Sequence, residues 1–216
     1  MAQNESKRFY EMSAALSALT GIDEEIGAAA TCLAQAAEQG KMIHVFGVDA
    51  RAADLEGELF YRAGGLACID PIYDPAFSNS HGAYRSELCR PLDGLAPKIL
   101  EYYELIETGD PLILLAFDAA SKAFEQAAEW AKAKGLALIA VVPEKPVDRS
   151  IVSLIDVMIC FGQPYKTICM AAVLNEVMAR TLGETPDAEV WQGDFFPDTQ
   201  KNRALLERWR WRVRHL

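Results

Sequence analysis

Residues 42–47 read Met42-Ile43-His44-Val45-Phe46-Gly47, and Val48-Asp49-Ala50-Arg51-Ala52 follows at once. A short apolar and β-branched run that ends in glycine reads as a buried strand closed by a tight turn. Beyond the turn, Leu55, Leu59 and Phe60 fall at helical spacing, and Gly64-Gly65 predicts the helix stop. A strand, a glycine and a helix N-terminus form the usual setting for a bound anion, because free N–H groups and the helix dipole converge there. Gly47 serves equally as a simple turn residue.

The same alternation extends in both directions. Upstream, Ala14, Leu16, Leu19, Ile22, Ile26, Leu33 and Ala37 recur at helical spacing, interrupted at Thr20-Gly21. That predicts two N-terminal helices, the second ending near Gln39-Gly40. Downstream, apolar runs at 66–69, 111–117, 136–142 and 157–161 predict four more strands, with helices at 95–105, 121–134 and 165–182. Residues 70–90, with Pro71, Pro75, Asn79 and Gly82, read mostly as loop.

Nearly continuous apolar strands alternating with helices predict an α/β fold with both sheet faces covered. The expected architecture is a three-layer α/β/α sandwich around a five-stranded, parallel, doubly wound sheet of the flavodoxin-like kind, preceded by two extra helices. Ligands of such sheets bind at the carboxyl ends of the strands, where strand order reverses. The loops after Phe46, Phe117 and Phe161 are therefore the ones expected to carry chemistry. One domain is expected over 1–216, with helices at 1–40, the core at 41–182 and an extension at 183–216.

Composition narrows the function classes. The 216 residues carry a net charge of −10, with 51% apolar and 24% charged residues. Acidic character disfavours nucleic acid, whose phosphates must be met by Lys and Arg. No stretch approaches the roughly 18 apolar residues of a membrane span, and polar residues interrupt the apolar runs near the start. The five cysteines, Cys32, Cys68, Cys89, Cys160 and Cys169, include no C-x-x-C pair, which indicates neither a zinc site nor a disulfide framework. No metal or cofactor is expected, and a reducing cytoplasm is the expected compartment.

His44-Val45-Phe46-Gly47, the Gly57–Gly65 stretch GELFYRAGG, His81-Gly82-Ala83 and the strand LILLAF resemble the phosphosugar-binding, phosphoheptose-isomerase-like branch of the sugar-isomerase (SIS) family. Asn202-Arg203-Ala204-Leu205-Leu206-Glu207-Arg208 is similar as well, so the resemblance runs from about residue 41 to 209. It implies an SIS-type sheet, a carbohydrate-derivative or phosphosugar ligand, and a homo-oligomer, either dimer or tetramer, with ligand sites near subunit boundaries.

The departures from that pattern fall in the anion loops. The family's loop after the first strand is rich in Gly and Ser, and its central loop resembles SxSG. Here the first loop holds Gly47, Asp49 and Arg51, and the central loop reads Ala116-Phe117-Asp118-Ala119-Ala120-Ser121. A carboxylate about 4 Å from a like charge costs from about 1 kcal/mol in water to about 4 at intermediate dielectric. Each lost donor to a charged ligand costs about 1.5–3 kcal/mol. Arg51 and Ser121 could donate in compensation. Alternatively Arg51 pairs with Asp49 or Asp118, or either aspartate caps a helix. Lys166 and Thr167, after the turn Gly162-Gln163-Pro164-Tyr165, are the remaining candidate ligand contacts.

By the resemblance, Glu58 aligns with an acid/base glutamate of phosphoheptose isomerases. Aldose–ketose isomerisation needs a group that removes and returns a proton α to a carbonyl. The family's partner histidine is missing from 165–182, which leaves His81 as the candidate second group and His44 as a core residue. The expectation is a carbohydrate-derivative-binding protein, non-catalytic or regulatory. The alternative is a sugar or sugar-phosphate isomerase using Glu58.

From 201 to 215, six Lys and Arg accompany only Glu207, and Trp209 and Trp211 interleave them. Period two favours a strand there and the family pattern a helix. Basic residues with aromatics can stack on single-stranded nucleic acid. Docking on the acidic body or on a second subunit is the expected role instead.

Overall fold

The computed structural model describes residues 2–193 and 200–216. Its strands are β1 (Ile43–Gly47), β2 (Ile69–Pro71), β3 (Pro111–Leu115), β4 (Ala137–Val142) and β5 (Val157–Cys160). Its α-helices are α1 (Ala2–Ser17), α2 (Asp23–Glu38), α3 (Ala50–Leu55), α4 (Ala83–Cys89), α5 (Leu95–Tyr102), α6 (Lys122–Lys134), α7 (Arg149–Val152), α8 (Lys166–Glu184) and α9 (Gln200–Trp209). The strands form one parallel sheet in the order β2-β1-β3-β4-β5. The reversal of order lies between β1 and β3, where Gly47 pairs with Leu115.

Alternation along the strands feeds two cores. Ile43 and Val45 of β1, with Ile113 and Leu115 of β3, face α2, α8 and the C-terminal segment. Phe46, Leu112 and Leu114 face α5 and α6. Both N-terminal helices form as expected, with Ala15 and Leu33 packed in the first core. Ser121 caps α6 through a 3.3 Å bond from Phe124 N–H, and Gly135, at φ 79°, turns the chain into β4.

The chain departs from the sequence expectations at three places. The helix expected to reach Gly64-Gly65 ends at Leu55, followed by a 3₁₀ turn at Glu56–Glu58. Tyr61 then adopts φ 44° and Gly64 φ 73°. The backbone leaves the helix because Leu66 bridges Val190 in antiparallel fashion, while Gly64 and Ala67 N–H groups donate to Trp191 and Glu189. For the same reason β2 begins at Ile69 rather than at residue 66. The segment 70–90, expected mostly as loop, contains α4.

The tail, for which strand and helix both stood open, is helical through Trp209 and then turns. It docks within the chain. Trp209 is buried and donates to Glu189 at 2.7 Å, Val213 is buried, and Arg212 stacks on Trp209. Arg214 N–H donates to Asp70, and its guanidinium lies over Tyr102 and Tyr103.

At the amino ends of the strands, His44 is fully buried between two carboxyls. Its Nδ1 is 3.1 Å from Asp70 and its Nε2 3.2 Å from Asp110. Burial alone disfavours the charged ring, but the bonds to Asp110 and Asp70 outweigh it and raise its pKa. His44 is thus a satisfied core residue, as expected.

Candidate functional site

The switch-point loops converge on Asp49. Its backbone is extended, and its carboxyl accepts the N–H of Ala52 at 3.1 Å and the N–H of Phe117 at 2.5 Å. One oxygen therefore caps α3 while the other holds the loop after β3. Burial pushes the Asp49 carboxyl up, and the two N–H bonds and the Arg51 charge oppose that rise. These N–H groups sit where an anion cradle would offer its donors, and the chain's own side chain occupies them. Gly47 is required by close approach, since a Cβ there would meet Ala53 N at 2.4 Å and Ala52 C at 2.5 Å.

The other loop candidates scatter. Arg51 lays its guanidinium 4.6 Å from the centre of the Phe117 ring. Asp118 accepts Ala120 N–H in a local turn and pairs with Arg90 at 3.6 Å, so the pairing open to it in sequence goes to Arg90. Ser121 is committed to its cap, and Lys166 pairs with Glu144 at 2.7 Å. Thr167 is exposed on the first turn of α8.

A cavity of about 300 Å³ lies beside α3 instead, between its carboxyl end and residues 73–81. Asp54, Glu56, Tyr73, Asp74, Ser78 and His81 line it. His81 Nδ1 is 3.0 Å from the Ser80 hydroxyl. Glu58 does not line the cavity; it faces Arg62 at 3.5 Å and Asn175 at 3.5 Å, with its side chain 41% exposed. Of the expected pair Glu58 and His81, His81 lines this cavity, and Glu56 lines it with His81.

Glu56 is 1% exposed. Its Oε1 accepts Gly47 N–H at 2.5 Å, and its Oε2 is buried without a partner. Burial holds Glu56 well above the usual carboxylate range; the Gly47 N–H pulls it back, and the charges of Asp74 and Asp54 add to the rise. Tyr73 is pushed up to about 12 by burial and by Glu56. Sequence reasoning passed over Glu56, yet a signal was present. Ala52, Leu55 and Glu56 stand at i, i+3 and i+4, and all three are buried, so helical period alone turns Glu56 inward.

The SIS domain family model matches residues 9–142. The chain belongs to the SIS family. Curated relatives agree along nearly the whole length. UPF0309 proteins of Brucella canis and Brucella ovis are each 30% identical over 230 residues, covering 92% of this chain and 94% of the relative. Among solved structures, a phosphoheptose isomerase from Francisella tularensis matches with TM-score 0.60 at 12% identity, over 83% of this chain and 96% of that one. A candidate sugar-phosphate isomerase from Listeria monocytogenes gives TM-score 0.50 at 17% identity, over 84% and 88%. At such identities these two structures speak to the fold of this SIS chain alone.

Among the described residues, no group of three or more His, Cys, Asp and Glu is placed to hold a metal ion. No described helix is long and apolar enough to cross a membrane.

Proposed function

We propose that this SIS chain binds a carbohydrate derivative in the cavity beside Glu56, and that no ligand phosphate enters the switch-point loops. The observation that carries the reading is the Asp49 carboxyl, which holds Ala52 N–H and Phe117 N–H. A phosphate there would need donors already engaged and would lie against a carboxyl. The test is a thermal-shift titration with glucose, glucose 6-phosphate and a heptose phosphate, since a ligand of the native state raises Tm with concentration over Kd. An unphosphorylated sugar should raise Tm and the phosphosugars should add nothing. Tighter binding of either phosphosugar would overturn the reading.

A second reading, proton transfer of the isomerase type, is favoured by the bare Glu56 Oε2. In it Glu56 takes the acid/base role expected of Glu58, and His81 is the second group at the cavity. Its test is exchange of the sugar C2 proton with solvent deuterium, followed by NMR. Exchange that disappears in Glu56→Gln and persists in Glu58→Gln supports this assignment, and the reverse pattern returns the role to Glu58.

The chain is further proposed to act as a cytoplasmic single-domain homo-oligomer, with the exposed Phe9, Tyr10 and Leu16 of α1 at the subunit contact. Light scattering of the purified protein tests this, and a monomer at all concentrations would reject it.

A further inference from the structure

The cavity beside Glu56 carries a charge pattern that the sugar reading leaves unused. Three of its lining side chains are carboxyls, Asp54, Glu56 and Asp74, and no Lys or Arg lines it. The nearby Arg85 is directed to the Pro75 carbonyl at 2.6 Å. His81 is the one basic side chain in the lining, and its Nδ1 is engaged with Ser80. Asp54 uses one oxygen on Asn79 at 3.4 Å, and Asp74 one on Ala76 N–H at 2.7 Å.

Glu56 distinguishes this cluster from an ordinary acidic surface. Its Oε2 is buried, lacks any partner and belongs to a side chain that lines the cavity. Buried carboxyl oxygens are normally bonded, so this one lacks a donor that a ligand can bring. A primary ammonium brings three donors and a positive charge. One donor suits Glu56 Oε2, and the others suit the second oxygens of Asp54 and Asp74. A ligand anion would meet like charge from Asp54 and Asp74.

We propose that the cavity takes a small polyol bearing a primary ammonium, an unphosphorylated amino sugar, with the ammonium on Glu56 Oε2. This rests on the carbohydrate reading given above and names its ligand class. Pairing with the ammonium favours the Glu56 carboxylate over its acid, so a proton held on its O–H passes to solvent on binding. No bond other than that O–H is broken.

The test is calorimetric titration of the whole protein with glucosamine, glucose, N-acetylglucosamine and glucose 6-phosphate, at a pH where the free amine is charged. Running it in two buffers of different ionisation enthalpy counts the protons released. Glucosamine should bind about tenfold or more tighter than glucose and N-acetylglucosamine, the size of one charge-assisted bond. Its binding should release a proton. Glu56→Gln should abolish both the preference and the release, and Asp74→Asn should reduce the preference if the Gln variant fails to fold. Equal binding of glucose and glucosamine overturns the ammonium assignment and leaves the carbohydrate reading standing, as does a preference that survives both variants. Binding of none of the four overturns both, and tightest binding of glucose 6-phosphate overturns the phosphate-free reading with it.

Discussion

Removing the His44 ring would leave Asp70 and Asp110 buried without the donor they share. Breaking a buried ion pair from one side costs about 3–5 kcal/mol, because the remaining charge stays uncompensated. His44→Ala should lose that much in urea unfolding at neutral pH. The pH dependence follows from the direction of the shift. The unfolded ring releases its proton near 6.5, whereas the folded ring holds it to higher pH. Its contribution is therefore complete below 6.5 and disappears as pH rises through the folded value. Glu56 behaves alike from a lower start. Its stabilisation is present below 4.5 and lost as pH climbs through its raised value. Glu56→Gln, which carries no titrating proton, should flatten the decline of Tm with pH that begins above 4.5. An unchanged slope in a pH series of melting curves would count against the raised Glu56 pKa.

At the scale of elements, two short pieces of backbone set the geometry of the switch point. A methyl at Gly47 would meet the first turn of α3 at 2.4–2.7 Å, so Gly47→Ala must displace β1 or α3. Overpacking of this kind costs about 1–3 kcal/mol or more, and chemical denaturation should show it. Asp49→Ala removes a cap worth about 1 kcal/mol and leaves Phe117 N–H unpaired at about 1–3 kcal/mol more. Loosening of the loop after β3, read by hydrogen exchange at Phe117, should accompany the lost stability.

Strands β3 and β4 were legible because each is a nearly pure apolar run, at 111–115 and 137–142. The helix through Phe60 was misread because its period continued past Leu55, while the partners that break it, Val190 and Trp191, lie far along the chain. Site legibility had the same limit. That Asp49 could cap a helix was readable, but its bond to Phe117 spans 68 positions and depends on strand order. Glu58 drew attention by alignment, whereas the inward face of α3 selects Glu56.

In the whole molecule, the C-terminal segment closes the first core over α2 and the start of β2. Trp209 is the largest side chain it buries there, so Trp209→Ala should cost about 3–5 kcal/mol, with Glu189 Oε2 losing its donor as well. Equilibrium unfolding checks the magnitude, and a loss under about 1 kcal/mol would mean that the segment adds little to the fold. The same segment reaches further. Arg214 N–H donates to Asp70, the carboxyl that also holds His44, and the next residue, His215, stacks 5.0 Å from Tyr73, whose other neighbours include Phe60 and the cavity wall. The Arg214 amide is thus bonded to the buried charge cluster and lies one residue from a ring that packs on the cavity wall. Its deuterium uptake would report fraying of the tail, and slower uptake on adding a sugar would reveal occupancy of the cavity without any label on the ligand.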